Sequence, residues 1–127
     1  MALHRLSLLL ALVWMAVIFY LSHQPTLDTP SLFENQDKVM HLGAYGLLAI
    51  LILGAMPLRL PGYTRRQVGF SVLLASLYGI SDELHQSFIP GRSPEVGDWL
   101  ADTLGALLAA LLLAQVSRAL KQRVSST

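Results

Sequence analysis

The chain has 127 residues, 54% of them hydrophobic and 13% charged, against about 25% charged in soluble domains, and its mean hydropathy is +0.53. It has no cysteine and a formal net charge of +1. These figures exclude a disulfide-stapled secreted domain, a thiolate zinc site and a cysteine nucleophile. They also lack the basic excess on which nucleic-acid binding draws. A single membrane-embedded domain over 1–127 is the class that remains.

Four apolar stretches follow in chain order. The first, Leu6–Leu21, is sixteen residues broken only by Ser7. Arg5 ahead of it raises the question of a signal peptide, but Phe19, Tyr20 and Leu21 close the run where a small-x-small cleavage signature is needed, so an uncleaved first span is expected. The loop His23–Gln36 holds Pro25 and Pro30, and Ser31 with Glu34 has capping-box spacing that predicts a short interfacial helical turn. The second stretch is Leu42–Met56, entered from Asp37 and stopped by Pro57, Pro61 and Gly62. The third is Val68–Ile80 with a polar extension to Phe88, closed by Pro90–Gly91. Before the fourth, Val96 to about Val116, Ser93–Pro94–Glu95 reads as N-cap, N1 proline and first-turn acid. A crossing takes about 20 residues at 1.5 Å each. Spans are therefore expected at about 4–22, 37–56, 66–88 and 94–117, giving an all-α, four-transmembrane-helix up-down bundle.

Direction follows from the cations. With both termini on one side, that side holds Arg5, Arg59, Arg65, Arg66, Arg118, Lys121 and Arg123, and the other only Lys38 and Arg92. The positive-inside rule then predicts cytoplasmic termini. All eight acids (Asp28, Glu34, Asp37, Asp82, Glu83, Glu95, Asp98 and Asp102) fall on the opposite loops or the helix halves that meet them, as do His23, His41 and His85. Ionised groups within spans cost about 2.5–3.5 kcal/mol at mid-bilayer and normally face a bundle interior or a cavity.

Helical spacing groups these residues. Asp82, Glu83 and Gln86 share one third of a face, and Asp37, Lys38, His41 and Tyr45 share another. Asp98 and Asp102 line up with Gly105 and Ala109, a small-residue strip suited to close helix approach. Three helices thus bring polar faces to one end, which predicts a single acidic pocket. Solvated loop charge accounts for Asp28, Glu34 and Glu95. A structural ion-pair network would use Lys38 and Arg92 against the rest, but two cations do not balance four or five acids, so some acids must be protonated, meet water or hold a cation. His41 with Asp82, Glu83 and Asp98 offers nitrogen and oxygen ligands for a divalent ion, in a spacing that matches no recognised signature. The same carboxylates suit acid–base work, and Arg92 suits a phosphate or carboxylate headgroup. Gly43, Gly46, Gly79 and Gly105 are expected to be packing positions, and Trp14, Trp99, Tyr20 and Tyr63 packing residues or headgroup-level anchors.

Asp37–Lys38–x–x–His41–x–x–x–Tyr45, Ser81–Asp82–Glu83–x–x–Gln86–x–Phe88–x–Pro90–Gly91–Arg92 and Asp98–x–x–Ala101–x–Thr103–x–Gly105 resemble the motifs of the VanZ-like family of small bacterial membrane proteins. Ser22–His23–Gln24–Pro25 is similar to that family's Ser-Ser-Gln-Pro segment, with His23 in place of the second serine. Asp102 stands where the family commonly has asparagine, which adds a carboxylate to the pocket. The resemblance implies a multi-pass protein of the bacterial inner membrane. Its namesake is associated with low-level resistance to teicoplanin, a glycopeptide that targets the lipid-linked cell-wall precursor. No established catalytic mechanism or cofactor comes with it.

The expected function is therefore a cell-envelope site for a lipid or precursor headgroup. His41, Asp82, Glu83 and Asp98 would supply acid–base or cation-binding function, and Lys38, Tyr45, Gln86, Arg92 and Asp102 would bind and orient. The alternative is a non-enzymatic accessory protein whose charges only fix helix packing or partner contacts. A proton or ion conduit is disfavoured, because the inner halves of the spans carry no matching polar residues. Membrane lipids are the expected partners, and small-residue strips at Gly46, Ala49, Gly54 and at Gly105, Ala109 would suit a homo-oligomer.

Overall fold

The computed structural model describes residues 2–25, 30, 32–58 and 62–125. The expectations placed on Asp28, Ser31, Arg59 and Pro61 lie outside these. The described residues form four helices: α1 Ala2–Ser22, α2 Gln36–Gly54, α3 Arg65–Gln86 and α4 Val96–Ser125. Each overlaps one expected stretch, but α4 continues to Ser125, past the expected end at about 117 and through the polar Lys121 and Arg123. Three of them, α1, α2 and α4 to Val124, are long and apolar enough to cross a membrane. Helix α3 has the length, at 22 residues, but begins with Arg65, Arg66 and Gln67 and ends with Asp82, Glu83, His85 and Gln86, which lower its apolar content.

Neighbouring helices in the chain run in alternating directions. His4 at the start of α1 bonds Gly54 O at the end of α2, and Trp14 Nε1 donates to Ala44 O at 2.8 Å. Lys38 and His41 meet Asp98 and Asp102 in ascending order, so α2 and α4 run parallel. Helix α2 packs most extensively on α4, and α1 touches α2 and, lightly, α3 but not α4. Leucines, valines and phenylalanines face outward all round, among them Leu9, Leu12, Phe70, Leu73, Leu77, Leu104, Leu108 and Leu112. A continuous apolar exterior of this kind has lipid, not water, as its solvent.

The interior is built from small residues. Ala106, Ala110 and Ala114 recur every four positions on α4 and are buried with Leu48, Ala49 and Leu53 of α2 and Ala75 of α3. In lipid the apolar exterior gives no drive to association, so close van der Waals contact supplies it. Gly46 lies against Gly105 and Ala109, and Gly105 lies on the backbone of Leu42. The small-residue positions Gly46, Gly105 and Ala109 thus serve the contact between α2 and α4. Gly43, expected to be a packing position, has nothing within 4 Å of where its Cβ would stand.

Two helix starts differ in origin. Helix α3 opens with a capping box, Gln67 N–H donating to Thr64 Oγ1 at 3.2 Å and Thr64 N–H to Gln67 Oε1 at 2.9 Å. Replacing Thr64 by alanine is expected to cost about 1 kcal/mol, measured as a lowered unfolding midpoint of the purified chain. Helix α4 does not start at the expected Ser93 cap but at Val96. Its leading Glu95 N–H donates to the Glu83 carboxylate of α3 at 2.9 Å, so a neighbouring helix performs the capping. The Pro90–Gly91 turn forms as expected, with Gly91 at φ +84° and Pro25 O 3.2 Å from where a Cβ would stand.

Candidate functional site

Alternating directions put the ends of α1 and α3 beside the beginnings of α2 and α4. Every described acid therefore collects at one end of the bundle: Glu34, Asp37, Asp82, Glu83, Glu95, Asp98 and Asp102. Residues three and four apart on a helix share a face, which aims Lys38, His41 and Tyr45 of α2 at Asp98 and Asp102 of α4.

The centre is a pair from these two helices. His41 Nδ1 lies 2.9 Å from Asp102 Oδ1, and His41 Nε2 lies 3.8 Å from Asp98 Oδ2. Asp102 is 0% exposed and Asp98 8%. Gly79 of α3 gives Asp102 its room, since a Cβ there would stand 2.8 Å from Oδ2. The Tyr45 ring stacks parallel to that of His41, with centroids 6.4 Å apart. From α3, Gln86 Nε2 donates to Asp82 Oδ2 at 3.2 Å, and Asp82 is 4% exposed. Glu83 contributes Oε2 to the start of α4.

Lys38 is engaged by three carboxylates: Glu95 at 3.1 Å, Asp98 at 3.2 Å and Asp37 at 3.3 Å. Its ammonium is thus a counter-ion within the cluster. Arg92 stands elsewhere, on a cleft of about 410 Å³ that it lines with Asp82, His41 and Tyr45 on the polar side and Ile18, Leu21, Met40 and Ala44 on the apolar side. Four buried polar atoms of this region lack a hydrogen-bond partner among the described residues: Tyr45 OH, Glu83 Oε1, Arg92 Nε and Asp102 Oδ2.

All nine residues singled out in the sequence thus lie at this end, and they divide by role. Seven of them carry named polar contacts in the cluster: Lys38, His41, Asp82, Glu83, Gln86, Asp98 and Asp102. Tyr45 packs on His41, and Arg92 faces the cleft. His85 lies apart, its Nε2 3.2 Å from His23 Nδ1 and its ring beside Phe19. Sequence reasoning passed over Ser76, which accepts from Trp99 Nε1 at 3.0 Å and meets Thr103 Oγ1 at 2.8 Å. This network ties α3 to α4, and only the polarity of Ser76 and Thr103 within apolar stretches signalled it.

The arrangement brings a histidine, several carboxylates and one arginine against an amphipathic cleft. It can hold an anionic group, exchange protons through His41, or bind a cation. The sequence profile of the VanZ/LLP1 family matches residues 7–118, so the chain belongs to that family and is a multi-pass membrane protein with a buried acid–histidine cluster. No curated protein and no solved structure matches it.

Proposed function

We propose that the chain crosses the bacterial inner membrane four times, with both termini in the cytoplasm, and binds an anionic lipid or lipid-linked precursor headgroup at its acidic end. Arg5, Arg65, Arg66, Arg118, Lys121 and Arg123 at the other end support that direction through the positive-inside rule. The observation that carries the headgroup reading is the cleft itself. Its Arg92 and His41 stand over an apolar floor of Ile18, Leu21 and Met40, which matches a charged head joined to an acyl chain. Arginine is suited to the head because its guanidinium can donate two parallel hydrogen bonds to a phosphate or carboxylate. His41, oriented by Asp102, would hold or pass the proton, with Asp82, Glu83 and Asp98 setting the charge around it. The link of the VanZ-like type to teicoplanin resistance fits a headgroup from the cell-wall precursor pool.

Arg92→Ala is expected to weaken binding of short-chain phosphatidic acid to the purified chain by at least about tenfold, the value of a charged hydrogen bond. In cells, Arg92→Ala and Asp82→Ala at normal protein level should alter teicoplanin susceptibility and outer-leaflet lipid composition. Unchanged binding and unchanged phenotypes together would dispose of the reading. The accessory-protein alternative draws on Lys38, whose three ion pairs are an ordinary packing device, and it expects lower folded abundance as the only consequence of charge removal.

A further inference from the structure

We propose that His41, Glu83 and Asp102 bind one divalent cation of the zinc–manganese class where α2, α3 and α4 meet. One donor atom from each residue lies within 4.8 Å of the other two. Ligands about 2.1 Å from a shared ion at roughly 90–110° stand about 3.0–3.4 Å apart. His41 Nδ1 and Asp102 Oδ1, at 2.9 Å, are already near that spacing. The third donor comes from a separate helix, so the set is fixed by packing rather than by one flexible loop.

A second observation points to a ligand independently of this grouping. Asp102 is 0% exposed, and among the described residues its Oδ2 has no hydrogen-bond partner, nor has the buried Glu83 Oε1. Buried carboxylate oxygens without donors are costly. A dication answers that cost directly. Among the described residues, Lys38 is engaged by Asp37, Glu95 and Asp98, and Arg92 forms no ion pair with these oxygens.

The donor chemistry selects the class of ion. One imidazole and two carboxylates suit zinc or manganese better than calcium, which takes oxygen ligands throughout. Coordination through Nδ1 needs its lone pair, so the bound ring is the neutral tautomer with its N–H on Nε2: a neutral Nδ1–H ring shifts that proton to Nε2, and a protonated ring releases one proton. Asp98 Oδ2, 3.8 Å from Nε2, is then the outer carboxylate that orients the ring. The neighbouring group Asp37, Glu95 and Asp98 has similar donors, but the Lys38 ammonium occupies it. It serves as an internal control.

The inference deepens the headgroup reading and rests on it for purpose, but its test reads the ion alone. The full chain in detergent micelles is titrated with Zn²⁺ by calorimetry and with Mn²⁺ by electron paramagnetic resonance. One ion per chain is expected, with affinity lowered at least tenfold to a hundredfold in His41→Ala and Glu83→Gln and unchanged in Glu95→Gln. Glu83→Gln keeps an acceptor for Glu95 N–H, so it carries the test should His41→Ala fail to fold. Absence of saturable binding by the folded chain overturns the proposal, as does binding indifferent to Glu83→Gln. Ion binding without phosphatidic acid binding sustains the metal site and removes the headgroup reading. Phosphatidic acid binding by a chain that takes up neither ion does the reverse.

Discussion

Gly105→Ala is expected to destabilise the folded chain by about 3 kcal/mol or more, at the upper end of overpacking costs. The added Cβ would run into the backbone oxygen, carbonyl carbon and Cα of Leu42. Backbone cannot rotate aside as a side chain can, so α2 and α4 would have to separate. That interface is the most extensive in the bundle and holds Gly46 against Gly105 and Ala109. Separation would also stretch the His41–Asp102 contact one turn away. Gly43→Ala supplies the comparison. It sits on α2 with nothing within 4 Å, and by helix propensity it should be neutral or stabilising by up to about 1 kcal/mol. Unfolding midpoints in detergent check both, and equal effects of the two substitutions would refute the packing argument.

Asp102→Ala is expected to cost about 3–5 kcal/mol, the range for removing one partner of a buried charged pair. The cost arises at His41, whose Nδ1 would lose its partner at 2.9 Å inside the bundle. Asp102→Asn should cost less than half as much, because the amide oxygen can still accept from the ring while the charge is gone. A double-mutant cycle of Asp102→Ala with His41→Ala tests the pairing itself. A coupling of about 0.5–3 kcal/mol is expected, and strict additivity would mean that the two residues do not act together.

How far the sequence led can be judged from particular residues. The four helices and the gathering of acids at one end were legible because both follow from spacing: apolar runs of span length, and polar residues three and four apart. Partners across helices were not. His41 and Asp102 are 61 positions apart, and nothing local says that they meet rather than His41 and Asp82. The start of α4 shows the same limit. Ser93 and Pro94 have the local form of a cap, yet Glu83, twelve positions upstream, takes the Glu95 N–H. Glycines were ranked alike, whereas Gly105 rests on another backbone and Gly43 on nothing. Lys38 read both as a cation for a ligand and as a member of an ion-pair network, because its neighbours in sequence show only Asp37. Glu95 and Asp98 reach it from α4.

Helix α1, which does not touch α4, is fastened by three polar clasps: Trp14 Nε1 to Ala44 O, Tyr78 Oη to Met15 O at 2.7 Å, and His4 Nδ1 with Gly54 O at 3.1 Å. In each, one side reaches a main-chain oxygen. Such fastenings are blind to side-chain identity at positions 15, 44 and 54. Volume is what limits drift there, since Met15 and Ala44 also pack against the core and a Cβ at Gly54 would stand 3.0 Å from Ser7 Oγ, while the hydrogen bonds ask only that Trp14, Tyr78 and His4 persist.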